Sequence, residues 1–292
     1  MADVIVAVLL VPPALILGLI GLYLTRLFLR QQQLVFRPRA ESVRTPSDFG
    51  LEFEDVFLEC ASGVRVHGWW VAGPRRKAII YFHGSDGNLS YELATLRYLV
   101  KLGVGVFLID YPGYGQSGGS CSERHCNEAG DAAWSYVRGT LGVPASDIFL
   151  FGQSLGTAVA TYIASTRECG GLVFQSGFTS VPDLAATLFP RVPVFLFRVF
   201  ARTRMNSLRR ISRCRCPVLV LHSRGDEHIP LAHAMRIHER AGGITKLVEF
   251  HGAHFSGEWR SDDHVSAAWQ ELLDGATSGW ERRPALAAGG AR

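Results

Sequence analysis

Charge is scarce in this chain. Asp, Glu, Lys and Arg make up 19% of its 292 residues, against 48% hydrophobic. That balance is too apolar for a disordered protein and ample for a buried core. The length suits one large α/β domain with an appendage. The net charge of +4 is modest and the basic residues are scattered, which argues against a nucleic-acid partner. One short basic cluster, Arg209-Arg210, Arg213 and Arg215, reads as a solvated face or a lipid-headgroup contact. Six cysteines are present, but no spacing among them resembles a zinc site, so no metal is expected. Cys214 and Cys216 are too close for an easy mutual bridge, and Cys121 can pair with Cys126 only if the local turn allows it. Buried thiols in a reducing compartment are the expected state. No internal repeat is visible.

The absence of charge is complete from Val4 to Leu24. As a helix this run extends ~31 Å, the thickness of a bilayer's hydrocarbon core. Pro12-Pro13 kinks it, which membrane helices tolerate better than soluble ones. A cleaved signal peptide needs a cationic segment before the run and a small-x-small site after it, and neither stands there. The reading is an uncleaved anchor over residues 1–30. Arg26, Arg30, Arg37 and Arg39 follow the run while Asp3 precedes it, and this bias places the globular part in the cytoplasm.

After a polar linker from Gln31 to Asp48, eight segments read as strands: Phe53–Cys60, Val64–Val71, Ala78–Phe82, Val104–Asp110, Ile148–Phe151, Leu172–Gln175, Val218–His222 and Lys246–His251. Helical spacing separates most of them, at Leu89–Leu102, Glu123–Gly139, Thr157–Ala164, Leu231–Ala241 and Gly257–Leu273. Strands alternating with helices imply a mostly parallel sheet of about eight strands, covered on both faces, with two antiparallel strands at its start. The alternation breaks at Gly177–Arg213, an apolar and basic insertion. It fits a small cap near a membrane surface and equally a lid with solvated arginines. Residues 31–275 form the domain in this reading, and 276–292 a frayed tail rich in Ala, Gly and Arg.

The chemistry-bearing motif is Phe151-Gly152-Gln153-Ser154-Leu155-Gly156, set between the strand ending at Phe151 and the apolar helix from Thr157. Strand, Gly-x-Ser-x-Gly, helix is the context of a nucleophile elbow. The two glycines remove Cβ atoms where strand and helix nearly collide. The serine then stands at the carboxyl edge of the sheet, beside unpaired helix N–H groups. A serine hydroxyl needs a base in contact and a third group to orient that base. Asp226 follows strand Val218–His222 and His254 follows strand Lys246–His251. Order and strand-end position therefore suit a Ser154, Asp226, His254 triad. The rivals are His228, His251 and His264 for the base and Glu227 for the acid; His251 ends a strand and His264 lies in a helix. The backbone N–H groups of Leu155 and Ser85 are the expected oxyanion donors, and His83 is read as a structural hydrogen-bonding residue beneath the site.

These residues resemble the α/β-hydrolase superfamily over Gln31 to Leu273. The matching stretches are Gly63-Val64-Arg65-Val66-His67-Gly68-Trp69-Trp70, His83-Gly84-Ser85-Asp86-Gly87-Asn88, Asp110-Tyr111-Pro112-Gly113-Tyr114-Gly115-Gln116-Ser117 and Gly152-Gln153-Ser154-Leu155-Gly156. Phe178-Thr179-Ser180-Val181-Pro182-Asp183-Leu184 and Gly225-Asp226-Glu227-His228-Ile229-Pro230 match as well. More narrowly, the chain is similar to the membrane-tethered serine hydrolases of that superfamily, including protein depalmitoylase-like members. The resemblance implies an α/β-hydrolase fold. The expected activity is cleavage of carboxylic esters or thioesters on a small-molecule or acylated substrate, without cofactor. A serine peptidase on the same fold and a non-catalytic membrane scaffold are the alternatives.

Overall fold

The computed structural model describes residues 28–282 without a break, together with Leu15, Gly18, Leu19, Gly21, Leu22, Thr25 and Arg26. The anchor expected at Val4–Leu24 therefore lies largely outside the described residues, as does the tail from 283 onward. Among the described residues no helix is long and apolar enough to cross a membrane.

Helix α1 (Gln31–Val35) and a two-residue strand β1 (Arg37–Pro38) stand where a linker was expected. Strands β2 (Glu54–Glu59), β3 (Arg65–Val71) and β4 (Arg75–Phe82) follow, then the short β5 (Asp86–Gly87), which pairs in parallel with β1. Helix α2 (Leu93–Val100), β6 (Val104–Ile109), α3 (Glu123–Ser135), β7 (Ile148–Gln153), α4 (Gly156–Thr166) and β8 (Gly171–Gln175) continue the alternation. The insertion folds as three short helices, α5 (Val181–Leu188), α6 (Val194–Phe200) and α7 (Ser207–Ile211). Then come β9 (Val218–Ser223), α8 (Ala232–Arg240), β10 (Ile244–Phe250), α9 (Asp263–Asp274) and β11 (Glu281–Arg282).

The main sheet has nine strands in the order β11-β10-β9-β8-β7-β4-β6-β3-β2. Strands β4 and β6 to β10 run parallel; β2, β3 and β11 are antiparallel to their neighbours. The buried runs of the central strands, such as Ala78–Phe82 in β4 and Ile148–Phe151 in β7, are apolar because both faces are covered. Alternate residues divide between two cores. Ile80, Phe82, Leu150, Val218 and Val220 face α3, α4, α7 and α8. Ile79, Tyr81, Phe149, Phe151, Leu219 and Leu221 face α2 and α9. Each such side chain, fully buried, stabilises the fold by about 1.5–3 kcal/mol.

One expectation changes at the C-terminus. Residues 276–282 do not fray: Thr245 and Ile244 of β10 pair with Glu281 and Arg282 of β11. Trp280 is buried against the second core, its indole N–H donating to Glu271 at 2.7 Å. An aromatic anchor and one open sheet edge outweigh the Gly- and Ala-rich composition around it.

Candidate active site

The glycines of the elbow are fixed by backbone, not by flexible neighbours. A Cβ on Gly156 would stand 1.9 Å from the Phe82 carbonyl oxygen, and one on Gly152 2.5 Å from the Gly156 oxygen. Helix α4 is thereby pressed against the ends of β4 and β7. Ser154, between them, adopts φ 51°, the left-handed conformation that a side chain disfavours. Its amide donates to the Gln175 carbonyl at 2.9 Å, and its own carbonyl accepts the Thr157 hydroxyl at 2.6 Å. These bonds hold the strained turn in place.

The serine meets residues a hundred positions downstream. Ser154 Oγ lies 3.1 Å from His254 Nε2, and His254 Nδ1 lies 2.7 Å from Asp226 Oδ2. The other oxygen, Asp226 Oδ1, accepts the amides of His228 at 3.0 Å and Ile229 at 2.7 Å. Burial works against the Asp226 carboxylate, but hydrogen bonds from His254 and the Ile229 amide, with two histidines close by, hold its pKa below the usual range. An ionised Asp226 accepts only, so His254 Nδ1 carries a proton and Nε2 is free to accept from the serine.

The acid and base loops are stitched to each other. The Ser223 hydroxyl donates to the Gly252 carbonyl and accepts the Gly225 amide, and the Arg224 amide donates to the Phe250 carbonyl. Glu227 accepts the His254 amide at 3.1 Å and reaches His228 Nδ1 at 3.1 Å. Glu227 thus braces the base rather than replacing Asp226. His228 is exposed and its ring lies tilted against that of His254, 5.3 Å between centres. His251, expected to end a strand, lies just beyond β10 and is exposed; His264 is exposed on α9. Neither joins the site.

The loop after β4 passes beside the serine: a Cβ on Gly84 would sit 3.7 Å from that of Ser154. His83, buried beneath it, donates from Nδ1 to the Gly84 carbonyl at 2.8 Å. In a trans peptide the Ser85 N–H points opposite to that carbonyl, away from the His83 ring. Neither the Ser85 nor the Leu155 amide finds an acceptor among the described residues. Tyr111 donates to the His83 carbonyl and Tyr114 to the Ser85 carbonyl, each at 2.8 Å. The Arg37 amide reaches the same Ser85 carbonyl at 2.9 Å.

Sequence reasoning missed three supports. Buried Asp110 stands 3.1 Å from His83 Nε2, out of line for a hydrogen bond, and accepts the Leu89 amide at 2.9 Å. Buried His222 donates from Nε2 to the Ile229 carbonyl at 2.7 Å and lies 3.6 Å from Asp226. Burial, above all, keeps its pKa below that of an ordinary histidine. Its place in β9 on the same face as Val218 and Val220 was the available signal. Arg37 had none, since it acts through its backbone. As for a metal, Asp226, Glu227 and His228 offer ligand atoms within 4.8 Å of one another. Asp226 is already committed to His254 and two amides, so this group does not make a free ligand set.

The comparisons agree with this architecture. The family model described as serine aminopeptidase, S33, matches residues 73–206. An uncharacterised protein of Mycobacterium tuberculosis is 31% identical over 217 residues, 73% of this chain and 76% of its own length. The Arabidopsis thaliana α/β-hydrolase domain-containing protein WAV2 is 28% identical over 259 residues, covering 80% of this chain and 84% of that protein. Among solved structures, a Pyrococcus furiosus esterase superposes with TM-score 0.68 at 21% identity, over 82% of this chain and 98% of its own. The chain belongs to the α/β-hydrolase superfamily.

Proposed function

We propose that this hydrolase cleaves carboxylic esters or thioesters through a covalent acyl-serine. The observation that carries the reading is the hydrogen-bonded series Ser154–His254–Asp226, at 3.1 and 2.7 Å, on a strained strand-to-helix turn. Ser154 Oγ attacks the acyl carbon while His254 Nε2 takes its proton. The tetrahedral oxyanion is held by the Leu155 and Ser85 amides, neither of which has an acceptor among the described residues; each such donor is worth roughly 3–4 kcal/mol. On collapse the carbon–oxygen or carbon–sulfur bond breaks and His254 gives its proton to the leaving group. Water, deprotonated by His254, then attacks the acyl-serine and releases the acid. Asp226 orients the imidazole and stabilises its charged form. The reaction as written uses no metal or cofactor.

The uncharged run Val4–Leu24 supports a membrane address, with a single-pass anchor and the catalytic domain on the cytoplasmic side. Lipid-like or acylated substrates follow from that address. The matching of a family model described as serine aminopeptidase supports peptide cleavage by the same triad as the second reading. The separating experiment is a comparison of kcat/KM for p-nitrophenyl esters of increasing chain length, acyl thioesters and peptide nitroanilides, with Ser154→Ala alongside. Ester or thioester turnover that rises with chain length, and vanishes in Ser154→Ala, is the expected result. Turnover of peptides alone would install the second reading, and turnover unchanged in Ser154→Ala would remove both.

A further inference from the structure

The cap carries more apolar surface than its own fold covers. Helix α6 reads Val194-Phe195-Leu196-Phe197-Arg198-Val199-Phe200, apolar nearly all round, and such a helix is ordinarily buried. Leu196 and Phe197 are half-buried, and the Phe197 ring lies 6.4 Å from that of Phe189 of the preceding turn. The opposite side faces out: Phe195 and Val199, one turn apart, are 60% and 65% exposed, and Phe200 is 57% exposed. Leu188 and Phe189 extend the patch. A patch of this kind marks an interaction site.

Its surroundings identify the partner. Arg191, Arg198, Arg202 and Arg204 are exposed among these side chains, against one acid, Asp183, in residues 177–206. Asp183 is already paired with Arg198 at 3.0 Å. The patch is also joined to the segment that leaves the N-terminal apolar run. The Gln31 side chain donates to the Phe200 carbonyl and accepts the Arg202 amide, both at 3.0 Å. The Arg202 guanidinium lies over the exposed Phe28 ring at 5.7 Å. Aromatic and aliphatic side chains interspersed with arginines, clasped to residues Phe28 and Gln31 that follow an uncharged stretch of membrane length, match a bilayer interface with anionic headgroups.

We propose that the outer face of α6, with the α5–α6 turn, is a second membrane contact that lies in the headgroup–acyl boundary beside the anchor. The inference rests on the membrane address proposed above and deepens it. One contact tethers the chain; two fix its tilt, and the cap springs from the carboxyl end of β8, where Gln175 holds Ser154. The docked enzyme therefore presents its site to acyl groups emerging from the bilayer.

The test uses the full chain in phosphatidylcholine–phosphatidylglycerol vesicles, with part of the phosphatidylcholine brominated on its acyl chains. Flotation reports the anchor. Quenching of an added tryptophan, read as the increment over the six native ones, reports the cap. Phe195→Trp is expected to gain a signal that bromolipid quenches at least about threefold more than that of Phe57→Trp, on the far edge strand β2. A preference for phosphatidylglycerol that weakens with salt is expected as well. Flotation with equal quenching of the two reporters would overturn the docking, and failure to float would overturn it with its premise. A loss of esterase activity bears on the proposed function alone, because neither readout needs turnover.

Discussion

The loops around Ser154 and the cap beside them are built in opposite ways. Around the serine, hydrogen bonds tie the base to the acid and both to their loops, and the closest backbone approaches are made by Gly152 and Gly156, which no other residue can replace. In the cap, helices α5 and α6 bury one residue between them, Pro182, while phenylalanines and valines stand in solvent. The first region is over-determined by its own contacts, so its chemistry can be argued from one chain. The second is apolar beyond what its contacts among the described residues use, and a membrane surface is its proposed cover.

Substitutions should divide along that line. In the first region the largest effect is on chemistry: Ser154→Ala is expected to lower kcat by about 10⁵–10⁶-fold with the fold intact by circular dichroism. Asp226→Asn leaves the loop amides in place but misorients His254, and is expected to cost about 10⁴-fold in kcat. Gly156→Ala drives a methyl into the Phe82 carbonyl and should cost roughly 3 kcal/mol or more in urea unfolding. A cost under about 1 kcal/mol would mean that the elbow is not pressed as described.

His233 joins the two regions and supplies a pH test. It is buried, and its Nδ1 accepts the Thr179 amide at 3.3 Å at the root of the cap, while the Thr179 hydroxyl donates to Asp183 at 3.1 Å. Burial first, and Arg236 second, push its pKa down to about 4. Above the unfolded value near 6.5 both states are neutral and nothing is lost. As pH falls from there towards 4, the unfolded chain binds a proton that the folded one refuses. Stability is therefore expected to drop by up to about 3 kcal/mol across that window. His233→Gln should flatten that slope in melts taken across it; an unchanged slope would assign the acid sensitivity elsewhere. Smallest of all, Phe195→Ser is expected to change stability by no more than about 0.5 kcal/mol, because among the described residues that side chain is 60% exposed.

Most of the sheet was legible because central strands must be apolar on both faces, and runs such as Ala78–Phe82 and Ile148–Phe151 announce that directly. The meeting of Ser154, Asp226 and His254 was legible because each follows a strand, and parallel strands bring those ends together. The buried partners were not: Asp110 under His83 and His222 beside Asp226 are read only when strand order and facing are known. Arg37, expected in a linker, acts through its amide, which no side-chain pattern reports. Trp280 was hidden in a tail whose composition spoke for fraying, and the clasp of Gln31 on Phe200 joins residues 169 positions apart.

The central claim is that Ser154 is an activated nucleophile, and reaction with a fluorophosphonate tests it without any knowledge of the substrate. Wild-type chain is expected to gain one phosphonyl group, located on Ser154 by peptide mass. Ser154→Ala should gain none, and Asp226→Asn should react far more slowly. Failure of the wild type to label, or equal labelling of Ser154→Ala, would contradict the account.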